Sequence, residues 1–408
     1  MVQSKDNQTM LIAGHLLVHD GSTSRLERGW LLARDRLIVQ MGAGEAPAAA
    51  DLGGDDFIIM PGFVDAHVHL PQYDAIGIAG LELLEWLECV IFPAEALWAD
   101  TDYAAAMAQR AVRGLISFGT TAMAAYASVH PAGARAAMEA AAALGVRGVL
   151  GPSLMDRNAP PELCLPREVQ LAELARFERV GRLEPAVTPR FAVACTPELM
   201  RDAAQLAARR GWTIQTHLAE THAEVALVES LFPGRSYTQV YDDVGLLTPR
   251  TILAHTIHLA PADAALIESR GSCAAHCPTA NRFLEAGIMD RAGLATAGIP
   301  VALGSDIAGG PDRSMVRVAR AMIESARARG DEAPTAAQAF HAITAGSAAA
   351  LGWHGCGTLT TGVDADVVVV RPDRAWLTSP DPLGTLLYSW DDRWIRSVLV
   401  AGRVMFTA

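Results

Sequence analysis

Short apolar runs recur through the middle of the chain, each separated from the next by a longer, alanine-rich stretch of helical texture. The runs are Phe63–His69, Thr121–Tyr126, Gly148–Met155, Phe191–Cys195, Thr213–His217, Thr251–His255, Ser272–His276 and Val301–Asp306. The gaps hold helix-like segments such as Tyr103–Ile116, Ala132–Val146, Glu168–Val180, Pro197–Arg210 and Ala264–Arg270. Buried strands alternating with helices imply parallel crossovers. Eight such units over roughly 300 residues fit an α/β fold of the (β/α)8 TIM-barrel type. An open doubly wound sheet is the structural rival, but no Gly-x-Gly-x-x-Gly follows any of the strands.

The two chain ends have a different texture. From Met10 to Ile59, apolar runs (Leu11–Ala13, Trp30–Ala33, Leu37–Val39) alternate with turn signals such as His19-Asp20-Gly21. The same pattern returns in Val367–Val370, Ser397–Val400 and Val404–Phe406. These read as short strands, so residues 1–60 and 357–408 are expected to build one small, discontinuous β-sandwich domain. Residues 61–356 then form the barrel that carries the chemistry.

Composition narrows the class further. At 51% hydrophobic and 19% charged residues the chain is globular. A net charge of −12, with no cluster of basic residues, argues against nucleic acid as a partner. The start, Met1–Met10, lacks a secretory layout, and no apolar run reaches membrane-spanning length. Six scattered cysteines suit a reducing compartment, and the cytoplasm is expected. Cys273 and Cys277 bracket His276 but lack structural-zinc spacing and read as core residues.

In a TIM-type barrel the chemistry gathers at the C-terminal ends of the strands. Here those ends carry His67 and His69, His217 followed by Glu220, His255, His276 and Asp306. Residues i and i+2 of a strand share a face, so His67 and His69 aim at one point, with Asp65 placed to accept a hydrogen bond behind them. Paired histidines alone decide little, His217 alone could be a core histidine, and Asp306 could cap a turn. Buried strands that end repeatedly in histidine or acid are hard to explain as packing. His67, His69, His217 and Asp306 would supply three neutral ligands and one anionic ligand to a single divalent metal, zinc or iron. His255 is either a further ligand or, as favoured here, a neighbour that hydrogen-bonds the reacting water. Glu220, just past its strand, is placed for general acid–base work. His15, His19, His130, His222, His341 and His354 fall off the pattern. His222-Ala-Glu224 matches half of a base-deaminase signature, but no Pro-Cys-x-x-Cys follows, so both residues read as helical positions.

From about Met60 to Gly362 the chain resembles the amidohydrolase superfamily, and within it the guanine deaminase family. The segments PGFVDAHVHLPQYDAIG (61–77) and LLEWLECVIFPAE (83–95) carry most of the likeness. GTTAMAAYASVH, MDRN, TPRFAVACT, QTHLAE, LAHTIHL, HCPTANRFL and GSDIAGG follow in that family's order, with Ser305 where many relatives have Thr. The resemblance implies zinc on His67, His69, His217 and Asp306, and catalysis by Glu220, Asp306 and His255. It also implies a purine held by Gln72, Arg190 and Phe191 beside His217, Glu220 and Asp306, and a homodimer acting on guanine. Two-metal relatives often bridge their ions with a carbamylated lysine. The only lysine here is Lys5, which favours one metal and deamination of an aromatic ring. The alternatives are an aminohydrolase of another heterocycle (an oxidised purine, pterin, triazine or pyrimidine), or an inactive barrel serving as a binding subunit.

Overall fold

The structure, a computed structural model, describes residues 9–408; the expectations placed on Lys5 and on the first eight residues lie outside the described part. Four strands come first: β1 (Thr9–Asp20), β2 (Thr23–Arg34), β3 (Leu37–Ala43) and β4 (Leu52–Pro61). Then follow β5 (Phe63–His69), β6 (Thr120–Ala127), β7 (Arg147–Leu154), β8 (Leu183–Pro189), β9 (Thr213–Leu218), β10 (Thr251–His255), β11 (Cys273–His276) and β12 (Val301–Leu303). Three more, β13 (Val367–Val370), β14 (Ile395–Val400) and β15 (Arg403–Thr407), end the chain.

Strands β5 to β12 form one eight-stranded sheet in sequence order, each paired with the next in parallel. It closes into a barrel where the segment after β12 meets β5: the Asp306 N–H donates to the His67 carbonyl at 2.8 Å, and the His69 N–H to the Ile307 carbonyl at 3.0 Å. Gly304 permits this approach, since a Cβ there would lie 2.7 Å from that of His67. Inside the barrel, small residues from successive strands, among them Ala66, Ala124, Val149, Ala186, Ile252, Ala275 and Ala302, pack as one layer, as side chains filling a closed barrel must.

One strand lies elsewhere than the sequence pattern suggests. Phe191–Cys195 is a turn, and the fourth barrel strand is Leu183–Pro189. Pro185 and Pro189 argue against a strand when read alone, which shifts the apparent apolar run downstream. The last barrel strand is also shorter than the run that marks it, so Asp306 sits in the loop beyond Leu303.

The chain ends do share one layer, and its sandwich character arises from a single sheet. The order is β15-β14-β13-β4-β1-β2-β3, mixed because β1 and β4 run parallel. The sheet curls until Ile38 of β3 and Leu399 of β14 enter the same apolar cluster with Ile12, Leu31, Ile59 and Val367. Its other face, through Ile58, Met60, Val368 and Val398, joins the barrel core with Leu115 and Ile116. Burial of each such side chain contributes about 1.5–3 kcal/mol. Arg182, just before β8, binds Asp364 and Asp366, each at 2.8 Å, and ties the barrel floor to the C-terminal strands.

Candidate active site

The C-terminal ends of the barrel strands bring nearly every residue singled out above to one place. His67 and His69 end β5, where the register with β6 shifts between Asp65 and Val68, an irregularity of the kind that re-aims side chains beside active sites. Their Nε2 atoms lie 3.2 Å apart, and His69 Nε2 lies 3.1 Å from His217 Nε2. Asp306 Oδ1 lies 3.2 Å from His67 Nε2 and 3.6 Å from His69 Nε2. Nitrogen donors bound at ~2.0–2.1 Å to one ion, at angles between right and tetrahedral, are held about 3.0–3.4 Å apart. These four side chains therefore have the spacing of a shared coordination sphere.

Their protonation fits as well. Burial, reinforced by the other cationic groups close by, pushes His67, His69 and His217 well below the ordinary histidine value. They are neutral at neutral pH, as metal ligands must be. His217 Nδ1 donates to the Arg190 carbonyl at 2.6 Å, which fixes the tautomer and leaves Nε2 as the free donor atom. Asp65 is an acceptor behind the pair as expected, taking the backbone N–H of His67 and both donors of Ser305 rather than an imidazole N–H.

Glu220 is buried in the turn after β9. Its backbone N–H donates to Glu224 Oε2 at 2.8 Å, and Glu224 in turn caps the helix His222–Leu231 and accepts from Tyr237. The half-signature His222-Ala-Glu224 is thus a scaffold, as its helical reading implies. Burial, with the carboxylates of Asp306 and Glu224 nearby, raises the Glu220 pKa well above the usual carboxyl range. Burial likewise lifts Asp306, to about 6. His255 Nε2 stands between them, 3.5 Å from Glu220 Oε2 and 3.8 Å from Asp306 Oδ2. Asn281 Oδ1 meets its Nδ1 at 3.0 Å. His255 also approaches His67 and His217 closely enough to join a metal group. Cys277 does too, with His255 and Asp306, but burial holds its thiol well above the ordinary value, protonated and a poor ligand.

Gln72, Arg190 and Phe191 line the same pocket, with His69, His217, Glu220, His255 and Asp306. Arg190 and Phe191 reach it as the first residues after β8. Leu83, Trp86 and Leu284 complete the walls. Two residues in segments quoted above received no role from the sequence. Asn281 orients His255, and Glu95, 1% exposed, binds both Gln72 and Arg190. An acid inside the apolar stretch Phe92-Pro93-Ala94-Glu95 was the available signal.

Residues 58–405 match the model of the amidohydrolase family. The chain belongs to that family. A guanine deaminase of Dictyostelium discoideum is 32% identical over 385 residues, covering 88% of this chain and 85% of the relative. The solved structure of Escherichia coli guanine deaminase superposes with a TM-score of 0.91 at 29% identity, over 98% of this chain and 99% of that one. A second solved structure, "Guanine Deaminase from C. acetobutylicum with bound guanine in the active site", gives 0.90 at 28%, over 98% and 100%. As in those amidohydrolase relatives, the barrel and its end-strand sheet span almost the whole molecule. No helix among the described residues is long and apolar enough to cross a membrane.

Proposed function

We propose that this amidohydrolase converts guanine and water to xanthine and ammonia, using one divalent cation, zinc or iron, on His67, His69, His217 and Asp306. The observation that carries the reading is the meeting, around one pocket, of that donor set with the buried Glu220 and with Gln72 and Arg190. The guanine deaminases that resemble this chain over most of its length support the choice of substrate.

A bound cation would supply acidity to a water in the cluster, taking its pKa from about 15.7 to about 7. The chain's own groups do the rest. Gln72 and Arg190 hold the ring edge remote from the amino carbon, and Phe191 packs against the flat ring. As the water oxygen adds to the amino carbon, Glu220 gives its proton to the adjacent ring nitrogen. Asp306 takes one proton of the water and passes it to the amine; the C–N bond breaks and ammonia leaves. The second water proton restores Glu220 as the carbonyl forms. His255, held by Asn281 between the two carboxyl groups, orients the water. The same reading assigns the barrel, 61–356, as the catalytic domain, a homodimer as the working form and a reducing compartment, in keeping with six unpaired cysteines.

Incubation of metal-loaded protein with guanine should yield stoichiometric ammonia. Silence with guanine alongside turnover of a pterin or triazine would transfer the chemistry to another heterocycle.

A further inference from the structure

Glu95 is buried against Gln72 and Arg190, two residues that line the pocket, and both its oxygens accept from Arg190 Nη1, at 2.7 and 2.8 Å. Its Oε1 also accepts from Gln72 Nε2 at 3.0 Å. A carboxylate accepts and does not donate, so Glu95 decides which end of the Gln72 amide faces it. The other end is fixed independently. The backbone N–H of Ala308, which can only donate, meets Gln72 Oε1 at 3.2 Å. Turning the amide over would set N–H against N–H on one side and oxygen against oxygen on the other. The guanidinium is pinned as well, by the two Glu95 oxygens and by the Phe92 ring 5.7 Å from its Cζ. With Nη1 committed to Glu95, Arg190 has Nε and Nη2 left for a ligand, and Gln72 has its second amide N–H.

We propose that Glu95 is a positioning residue that sets substrate specificity. It makes this wall of the pocket a donor-only edge, matched to a heterocycle that presents a carbonyl oxygen and a ring nitrogen side by side. The inference rests on the deaminase reading, and names what selects the purine. A purine whose 2-carbon faces the histidines turns its 6-substituent and N7 toward Gln72 and Arg190. In guanine both are acceptors. In a 6-aminopurine the amino group would meet N–H donors that cannot turn away, and a buried site built to bond one edge rejects the other strongly.

Binding of hypoxanthine and adenine to the zinc-loaded protein, measured by calorimetry, tests the proposal alongside guanine kinetics of Glu95→Gln and Glu95→Asp. The wild type should bind hypoxanthine about 10- to 100-fold tighter than adenine. Glu95→Gln, which loses the carboxylate that pins the Arg190 guanidinium and leaves Ala308 alone to hold the Gln72 amide, should narrow that ratio. It should also raise KM for guanine by about 10- to 100-fold with a smaller change in kcat. Glu95→Asp, still an acceptor only, should keep the preference. Equal wild-type affinity for the two purines overturns the inference even if the variants fail to fold. So does a Glu95→Gln protein with wild-type preference and KM. Failure of the wild type to turn over guanine removes the deaminase reading, while the hypoxanthine-to-adenine ratio still decides the role of Glu95.

Discussion

The carboxylate of Asp65, on the first barrel strand, accepts two hydrogen bonds from Ser305, just past the last: one from its backbone N–H at 2.9 Å and one from its hydroxyl. The pair seals the barrel next to two metal-type ligands, because His67 and Asp306 are the neighbours of these contacts in space and sequence. Ser305→Ala leaves one Asp65 oxygen without its donor in a fully buried position. It should lower unfolding stability by about 1–3 kcal/mol, whereas Ser305→Thr, which keeps the hydroxyl, should retain most of it. Urea unfolding of the two variants checks this.

Glu220→Gln removes the transferable proton but keeps the size and polarity of the side chain. Metal content should stay at the wild-type level while kcat falls by about 10²- to 10⁴-fold. Because the acid form is the active one, wild-type kcat should decline as pH rises through the elevated Glu220 pKa. Near-normal turnover in the variant would place the proton transfer on another group.

Acid should weaken the metal-free fold. His67, His69 and His217 are held neutral by burial, and His19 and His276 are lowered to about 4 and about 3. Unfolded histidines take up protons near pH 6.5, before these folded ones do. Their contribution is therefore complete above about 6.5 and is lost as pH falls, by up to about 1.4 kcal/mol per proton per pH unit. Asp65, raised to about 7, Asp306, raised to about 6, and Glu220 work in the opposite sense, since the folded state binds their protons first. The more numerous histidines set the net sign. The unfolding midpoint of metal-stripped protein should fall between about pH 7 and about pH 5, and the loaded protein should release its metal over the same range.

How far the chain could be read in advance differs from residue to residue. His67 and His69 were legible because strand periodicity fixes their common face, and Glu220 because it closely follows a strand-end histidine. Arg190 and Phe191 reach the pocket by a different route from the one the pattern suggests. They follow β8, whose prolines disguise it, and do not open a strand of their own. Glu95 was marked only as an acid in an apolar stretch, and its partner was not legible. Its function depends on a guanidinium 95 residues away in the chain, and no local pattern records that pairing. The single curled sheet at the chain ends was hidden likewise, since strand pairing between β4 and β13 is a tertiary choice.

Stepwise addition of zinc to metal-stripped protein, with xanthine formation from guanine followed at each step, tests the central claim most directly. Turnover should rise linearly and level off at one equivalent per chain, and His217→Ala should abolish both the tight binding and the rate. Absence of xanthine at every metal ratio, or full turnover without metal, would contradict the account.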